Sequence, residues 1–554
     1  MSKNCDANLG GINRRNALQL FAAAGSVGFL NPTWIQSALA ATGEHAGGQI
    51  VIGVSQEPVN FNPLMPGVET DKGVHFAIFD KLFTIDGEGN ISPSLASEVP
   101  TVENGGISQD GKSWRVKLRN DVKWHDEQPF TAEDVKFTLE LAVDPKFRSF
   151  SRSGHSLLKD INVVSPTEIT WKMTKPYAPY LRKLASTFIL PKHAFDGVAD
   201  KNTAPFNGKP FGTGPFKWGN RIPGDRIELE ANTAYFGAGP YISKVVIKYI
   251  PDTTVQYTQF KTGDITAVGV KYISPEHYAE AKTLPGKTIT IASTASVEVI
   301  KLNHERPQFR ELAVRQALYA AIDKKTIIEV LYQGIPKSTE SYMSQGLIYY
   351  NANLPHHQYD IKKANQILDA AGWKRGADGV RQKGDVRLSF ALSTTAGDQL
   401  REQVQQLIQQ SLREIGVDMR IENFPPAVIW GEFYYQSKFD AVIAGVPFLV
   451  GGDPDTTEQH HSKAIPAKGG GGANTEQYSN PKVDQLLEEG VATFSVEKRK
   501  EIYDEVQRII REDLAFLPMF QQAFVYGNDS RLQGVTPNPN ASVSTWNIGS
   551  WKLV

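Results

Sequence analysis

Thirty residues of this sequence, Asp110 to Leu139, pass from a strand signal through a turn into a capped helix. Ser113 to Leu118 alternates polar and apolar side chains, as a half-buried strand does. After the turn, Thr131 and the acidic residue three positions later, Asp134, form the sequence pattern of a capping box at the start of a helix. A strand and a helix so close together predict an α/β fold in which helices pack on sheets.

Residues 1–40 have the pattern of an export signal. Arg14-Arg15 precede a weakly hydrophobic run from Ala17 to Leu30, and Ala38-Leu39-Ala40 is a small-x-small cleavage site. The arginine pair and a glycine-diluted hydrophobic run favour export by the twin-arginine route, with cleavage after residue 40. Because the run is shorter than the roughly 20 residues that cross a bilayer, we expect no membrane anchor.

Cysteine usage agrees with an exported protein. The single cysteine, Cys5, lies in the predicted signal. The mature chain would therefore contain no disulfide, and it would have no cysteine at the cleavage site for lipid attachment. These observations predict a freely diffusing protein of a Gram-negative periplasm.

Length and charge limit the possible functions. The 554-residue chain is well beyond the roughly 250 to 300 residues at which a single hydrophobic core stops growing, so two or more lobes are expected. It carries 59 basic and 60 acidic side chains, which leaves no excess positive charge for nucleic acid or an anionic membrane. No phosphate-binding loop, zincin motif or dinucleotide fingerprint occurs in the sequence.

Helix and strand patterns continue along the rest of the chain. They predict strands over Gln49–Val54, Val297–Asn303, Val417–Ile421 and Ala441–Val450, and helices over Phe309–Ile322, Tyr359–Gly372, Leu400–Ile415 and Ser495–Leu514. Asp360 is expected to cap one of these helices, and Gly372 and Gly416 suit the left-handed positions that end helices. The apolar run that starts at Ala441 is typical of a buried strand.

The first segment resembles a signature of periplasmic solute-binding proteins of the peptide and nickel class of ABC importers (family 5, cluster C). Trp124 to Asp126 and Pro129 to Val135 match its KFHDGxPFTAEDV pattern closely. Other segments resemble the family's first strand with its EPxxLDP turn, its GTGPY loop and three of its helices. In family order they are Gln49–Pro63, Phe211–Phe216, Val314–Ile322, Tyr359–Trp373 and Asn480–Gly490.

The resemblance implies a two-lobed binding-protein fold of type II, in the large cluster C form with an extra subdomain and mixed sheets flanked by helices. Lobe I would comprise residues 41–296 and 517–554, with the inserted subdomain at about 85–205, and lobe II would comprise residues 297–516. Such proteins bind a ligand between the lobes and deliver it to an inner-membrane ABC permease. We therefore expect no catalysed reaction, no cofactor and a monomer.

A peptide or peptide-like ligand is implied by the resemblance, but one segment departs from the peptide-binding pattern. Oligopeptide binders hold the ligand's ammonium group with an aspartate in an ADYxDP-like segment, because burying an unpaired cation is costly. Alignment on Asp453-Pro454 puts Val450 at that place, or Leu449 after a one-residue shift, and neither can pair with an ammonium. An oligosaccharide or an opine-like conjugate is therefore the alternative ligand, and chelated nickel is a further one.

The predicted ligand-binding residues come from the turn after the first strand, an aromatic-rich segment, the apolar strand near residue 445 and the C-terminal region. Aromatic side chains could stack on a sugar ring or an amphipathic ligand. The predicted residues are Glu57, Asn60, Phe61, Trp430, Tyr434, Gly445, Phe448, Val450 and Trp546.

Three short motifs suggest a different class of protein, a secreted serine hydrolase. They resemble the elements of penicillin-recognising serine enzymes, but the Lys-Thr-Gly element comes too early in the chain. Short motifs of this kind also occur by chance in a long chain, so we do not favour this alternative. The motifs are Ser156-x-x-Lys159, Lys261-Thr262-Gly263 and Tyr478-Ser479-Asn480.

Two histidine pairs, His356-His357 and His460-His461, are candidates for metal binding. Imidazoles bind zinc, nickel and copper well. However, neighbouring histidines point in different directions, and no cysteine or third spaced histidine completes a site. We therefore expect no bound metal, although His460 or His461 could still reach the cleft.

Overall fold

The largest element of the fold is a mixed β-sheet of eleven strands. The computed structural model describes residues 47–447, 452–541 and 543–554. The strands are β1 Gln49–Val54, β2 Phe83–Ile85, β3 Ile91–Pro93, β4 Ser113–Lys117, β5 Leu158–Ser165, β6 Glu168–Met173, β7 Phe216–Ile222, β8 Arg226–Ala231, β9 Lys244–Tyr249, β10 Ala267–Ile273, β11 Lys287–Leu302, β12 Lys337–Ser338, β13 Lys374–Arg375, β14 Arg381–Lys383, β15 Val386–Arg387, β16 Ser389–Ser393, β17 Asp418–Ile421, β18 Ala441–Pro447, β19 Leu517–Asp529, β20 Leu532–Gln533 and β21 Lys552–Leu553.

Helices alternate with many of these strands, which confirms the predicted α/β class. The α-helices are α1 Glu69–Ile78, α2 Ala132–Val143, α3 Tyr180–Leu184, α4 Thr253–Thr262, α5 Pro275–Ala281, α6 Pro307–Arg310, α7 Leu312–Ala320, α8 Lys324–Thr326, α9 Ile361–Ala370, α10 Gln399–Glu414, α11 Pro426–Val428, α12 Thr457–His460, α13 Pro481–Ala492 and α14 Val496–Asp513. None of the helices in the described ranges combines the length and the apolar character that a membrane span requires.

Two long antiparallel strands, β11 and β19, form the centre of the large sheet. The strand order is β17-β16-β18-β11-β19-β10-β1-β9-β8-β7, and β12 also pairs with β19. On one side β16 runs parallel to β17 and β18, and on the other side β1 runs parallel to β9 and β10. The register of β11 on β19 shifts between Ser293 and Val297, where β18 begins to pair with β11. The ladder thus joins two groups of strands and is irregular at the junction.

Separate apolar clusters cover the two groups of strands. Ile300 and Leu302 of β11 belong to a cluster with α7 and α10, whereas Val297 and Val299 belong to a cluster with α13 and α14. Because neighbouring residues of a strand point to opposite faces, β11 is buried on both faces here. Another cluster packs on β1, β8 and β9. Residues between 82 and 189 form a further cluster around a small sheet of order β4-β6-β5.

The predicted capping box is confirmed at the start of α2. The backbone N–H of Thr131 donates to Asp134 Oδ2 at 2.9 Å. The same carboxylate also accepts from the backbone N–H of Lys192 at 2.9 Å and from Trp124 Nε1 at 3.4 Å. Burial raises the pKa of Asp134, whereas these donors favour its ionised form. One side chain therefore both starts the helix and fixes two neighbouring segments to it.

Most other predicted elements are confirmed within a few residues. β1, α9, α10, β17 and α14 lie where the sequence predicts them. Asp360 caps α9 through a hydrogen bond from the N–H of Lys363 to Asp360 Oδ1 at 2.8 Å. Gly372 and Gly416 have positive φ angles of 84° and 78°. The predicted export signal and the end of the predicted strand after Pro447 lie outside the described residues.

The prediction of one helix from Phe309 to Ile322 was wrong, because the segment is divided. α6 ends at Arg310, Glu311 is extended with φ −78° and ψ 122°, and α7 begins after it. The side chain of Arg315 donates from Nη1 to the carbonyl oxygens of Phe309 and Arg310 at 2.6 and 3.1 Å. This donor satisfies carbonyl groups that a continuous helix would otherwise bond.

We expect Asp134→Ala to lower the free energy of unfolding by about 3 kcal/mol, because three N–H donors would lose one buried acceptor. Urea denaturation measures the change. Glu133→Ala is the matched control, since Glu133 is exposed in the same helical turn and pairs with Lys192 at 3.4 Å. That control should stay within about 0.5 kcal/mol of the wild type. Equal losses in both variants would contradict the role assigned to Asp134.

Candidate functional site

β18 has an edge that becomes free near Gly445. The strand pairs with β11 from Ala441 to Pro447, but it pairs with β16 only at Ala441 and Val442. Beyond that point, no other strand in the described part of the chain pairs with this edge. Free backbone N–H and C=O groups at a strand edge can bind another extended chain.

A buried carboxylate lies beside this edge. Glu298 of β11 is opposite Gly445, and its side chain is only 4% exposed. Arg401 donates to it from Nε at 2.6 Å and from Nη2 at 2.9 Å, and Gln522 Nε2 donates at 2.8 Å. A buried charge requires such pairing, and the two-point contact fixes the guanidinium plane. Glu298 thereby connects β11 to α10 and β19.

The residue at position 445 has little space for a side chain. A Cβ atom there would lie 3.1 Å from Arg401 Nη2 and would also press against the amide of Gln522. Glycine therefore allows these polar side chains to approach the backbone of β18 closely.

A cavity of about 300 Å³ lies next to this group, along the central strands. One wall of the cavity, on the β10 side, includes Ile273 and Pro275. The opposite wall comes from the start of α10 and from the segment that begins at Tyr332, directly after a π-helical turn over Ile327–Leu331. Its shape and mainly apolar lining are typical of a small-molecule or peptide site. Its other lining residues are Glu298, Tyr332, Ile335, Pro336, Asp398, Leu400, Arg401, Phe520, Gln522, Ala523, Phe524 and Val525.

The sequence patterns did not predict Glu298, Tyr332, Asp398, Arg401 or Gln522 as site residues. A signal for two of them exists, since Glu298 interrupts the apolar run VEVIKL and Gln522 is the second of two glutamines after the apolar run FLPMF. A charged or amide side chain in a buried strand needs a partner, and its partner is found only in the folded structure. Burial, together with the negative charge of Glu298, raises the pKa of Tyr332, which keeps its hydroxyl neutral.

The predicted residues Glu57, Asn60 and Phe61 lie together in the turn after β1. Glu57 Oε1 accepts from the N–H of Gly224 at 3.0 Å and from Arg221 Nη2 at 2.9 Å, and these bonds lower the pKa of Glu57. The Asn60 side chain bonds within the turn, to Pro66 O and from the N–H of Asn62. Phe61 is 1% exposed and packs on Trp218 with 4.7 Å between ring centroids.

Two buried residues of α1, Asp71 and His75, fix this turn by hydrogen bonds to its backbone. Asp71 Oδ1 accepts from the N–H groups of Val59 and Asn60 at 2.7 and 3.2 Å. His75 Nε2 lies 2.9 Å from the carbonyl oxygen of Asn60, so the neutral ring donates this bond. Burial lowers the pKa of His75 to about 4 and raises that of Asp71. The conformation around Asn60 thus depends on the His75 donor and the Asp71 acceptor.

The predicted aromatic residues have different environments. Trp430 is half-buried and donates from Nε1 to the hydroxyl of Thr395 at 2.9 Å. Tyr434 is 9% exposed and stacks on Phe439, with 5.9 Å between ring centroids. Trp546 lines a separate cavity of about 240 Å³ that also includes Asp80 and Lys81.

Among the predicted site residues that the structure describes, Gly445 lies nearest to the central cavity, because it approaches two of the lining residues, Gln522 and Arg401. Phe448 and Val450 lie outside the described residues. The assignment of all nine residues to one ligand site remains a prediction.

The motifs that resemble a serine hydrolase have separate local partners. Lys261 pairs with Glu280, whereas the Tyr478 hydroxyl donates to Asp513 Oδ2 at 2.6 Å, as does Asn480 Nδ2 at 2.8 Å. Ser156 is exposed in a short helical turn. These contacts give the motifs local structural roles.

The histidine pairs are held by hydrogen bonds. His460 is fully buried, with Nδ1 2.8 Å from the Thr456 hydroxyl, and His461 Nε2 lies 3.2 Å from Glu488 Oε1. His357 Nε2 lies 2.9 Å from the carbonyl oxygen of Tyr319. Within the described ranges, no group of three or more His, Cys, Asp or Glu side chains is arranged to hold a metal ion.

A protein-family model matches residues 90–463, which is more than half of the chain. Its description is "Bacterial extracellular solute-binding proteins, family 5 Middle". The chain belongs to this family. The resemblance found in the capping-box segment and in the later motifs is therefore confirmed at the level of the family.

This solute-binding protein is also similar to characterised relatives over nearly its whole length. It is 29% identical over 521 residues to the oligopeptide-binding protein AppA of Bacillus subtilis, with 92% of each chain covered. The structure of that AppA in complex with a nonapeptide matches with a TM-score of 0.74 and 27% identity, over 92% of this chain and 99% of that one. NikZ from Campylobacter jejuni in complex with Ni(L-His) matches with a TM-score of 0.75 and 28% identity, over 91% and 99%.

We expect the stability of the protein to fall as the pH decreases from about 6.5 to about 4, in part because of His75. The unfolded chain gains a proton on this histidine near its ordinary pKa of 6.5, whereas the folded chain gains it only near pH 4. The unfolded state therefore binds more protons in this window, which costs up to about 1.4 kcal/mol per pH unit. Urea denaturation at several pH values measures the slope.

His75→Gln should reduce that slope, because glutamine can still donate to Asn60 O but does not titrate. His356→Gln, at an exposed position, is the control. A slope that His75→Gln leaves unchanged would show that other buried groups account for the acid sensitivity.

Proposed function

We propose that this protein is the periplasmic solute-binding component of an ABC importer and that it captures a peptide or peptide-like solute. The observation that carries the proposal is the 300 Å³ cavity beside the free edge of β18. A family 5 solute-binding protein needs a place for its solute, and this cavity lies between the two groups of strands.

The free strand edge supports a peptide as the ligand. An extended peptide can add to such an edge through main-chain hydrogen bonds, while its side chains enter neighbouring pockets. AppA of Bacillus subtilis, which has the same fold, holds a nonapeptide in its structure. An apolar lining from Ile273, Leu400 and Phe524 would accept side chains of several kinds.

Closure of two lobes is the proposed binding movement. Lobe I would comprise residues 41–296 and 517–554, with the subdomain at about 85–205, and lobe II residues 297–516. The irregular register of β11 on β19 near Ser293 supports a hinge there, because few ladder bonds resist bending at that place. The separate apolar clusters on the two sides would then move as rigid units.

The remaining parts of the proposal concern location and partners. Residues 1–40 would direct export to the periplasm, by the twin-arginine route, and the mature protein would diffuse freely as a monomer. It would bind an inner-membrane ABC permease and no nucleic acid. ATP hydrolysis would belong to the transporter, so the binding protein itself would catalyse no reaction and need no cofactor.

A non-peptide solute, such as an oligosaccharide or an opine-like conjugate, is the second candidate. Leu449 and Val450 support it, since neither can pair with a peptide's ammonium group. The relative NikZ, which holds Ni(L-His), illustrates that family members differ in ligand. Mass spectrometry of the ligand that co-purifies with the exported protein distinguishes the candidates. A sugar, an opine or a metal chelate in place of peptides would overturn the first proposal.

We expect Gly445→Leu to weaken ligand retention at least tenfold, because the added side chain would displace Gln522 and fill the cavity wall. Native mass spectrometry of the purified protein measures the retained fraction. Gly471→Leu is the control, since a Cβ atom at position 471 has no neighbour within 4 Å in the described structure. Unchanged retention in Gly445→Leu, with a folded protein by circular dichroism, would place the ligand elsewhere.

A further inference from the structure

The central cavity contains three oxygen acceptors that receive no hydrogen bond from the described residues. They are Oδ2 of Asp398, Oε1 of Gln522 and the hydroxyl oxygen of Tyr332. Asp398 uses its other oxygen, Oδ1, to cap α10 through the N–H of Arg401 at 3.2 Å. Gln522 uses its amide nitrogen to donate to Glu298. The free acceptors therefore remain available to a ligand.

The guanidinium of Arg401 is the charged donor of the described cavity wall. Arg401 donates from Nε and Nη2 to Glu298. Its Nη1 lies 3.6 Å from Asp398 Oδ2, which is too far for a hydrogen bond but close enough for charge attraction. Among the lining residues that the structure describes, Arg401 is the one cation, and it faces the two carboxylates of Glu298 and Asp398. One negative charge of the cavity wall is thus not balanced, and it lies at Asp398, whose side chain is 36% exposed.

We infer that this cavity binds a primary ammonium group of the ligand in preference to a free carboxylate, with Asp398 as the counter-charge and Tyr332 and Gln522 as neutral acceptors. An ammonium offers three N–H donors and no acceptor, which complements this set of oxygens. A carboxylate would instead be repelled by the unbalanced negative charge of Asp398. The inference rests on the proposed function, whose solute would occupy this cavity.

The same inference bears on the missing aspartate at Leu449 or Val450. If Asp398 supplies the carboxylate from the start of α10, the chain can hold an ammonium without an acid on the segment after β18. The departure from the peptide-binding pattern is then a change in the position of the acid, and free peptides remain suitable ligands.

Three matched peptides test the inference: tetra-alanine, its N-acetyl form and its C-terminal amide. Titration calorimetry on the mature protein, freed of bound solute by unfolding and refolding, gives the affinities. We expect N-acetylation to weaken binding at least about tenfold, since a charged hydrogen-bonded group is lost. Amidation of the carboxyl group should change the affinity less than about threefold, because that group is not held here.

Asp398→Asn tests the residue assigned to the ammonium. Asparagine caps a helix about as well as aspartate, so α10 should keep its start while the cavity loses the charge. We expect the ratio of affinities for the free and N-acetylated peptides to fall from tenfold or more to less than threefold. Asp360→Asn is the control, because Asp360 caps α9 in the same way but does not line the cavity.

The outcomes separate the inference from the proposed function. Equal binding of tetra-alanine and its N-acetyl form would overturn the ammonium site and leave peptide binding intact. Equal weakening of both peptides by Asp398→Asn would show a structural role only and would overturn the assignment to Asp398. If none of the three peptides binds and no peptide co-purifies, the proposed peptide function falls, and the inference falls with it.

Discussion

Pairing of β11 with β19 is the contact on which the rest of the architecture depends. The two strands meet from Lys287 opposite Asp529 to Ile300 opposite Leu517, and every other strand of the large sheet adds to one of their two sides. Both faces of β11 are covered from Val297 to Leu302, so the polar side chains of this stretch must find partners inside the protein. Glu298 and Gln522 do so with each other and with Arg401, which places the polar part of the cavity on the most firmly held strands.

Buried charges also fix the register of β11. Glu298 and Lys301 point to opposite faces, and Lys301 donates to Glu476 at 2.8 Å with both side chains fully buried. A slip of one residue would turn Glu298 and Lys301 to the opposite faces of the strand, where neither would meet its partner. Leaving a buried charge unpaired costs about 3 to 5 kcal/mol, so the two pairs act as a check on correct strand alignment even if each adds little net stability.

Local features of the fold could be predicted from sequence, whereas the cavity could not. The capping box at Thr131 and the helix end at Gly372 depend on neighbouring residues, and both were predicted. The division of the helix at Glu311 depends on Arg315 reaching back to carbonyl groups, which helical periodicity does not indicate. Glu298 lies 103 positions from Arg401 and 224 from Gln522 in the sequence, so a pattern read along the chain cannot bring them together.

The family resemblance identified the type of protein, but it directed attention to Trp430 and Tyr434 by position alone. Tyr434 is a core residue packed on Phe439, and Trp430 is bonded to Thr395. Aromatic residues at helical spacing have similar patterns whether they face a core or a ligand. Only packing distinguishes the two cases, because burial depends on contacts with distant segments.

The position of β19 has a consequence for the order in which the protein folds. β10 and β11 take β19 as their neighbour, so the sheet that contains β1 is incomplete until residues 517–529 are available. Contacts this far apart in sequence are slow to form, because the long intervening chain must first be closed into a loop. β10 and β11 therefore wait for a strand that is synthesised much later, and until then the edge of β10 stays open to wrong partners.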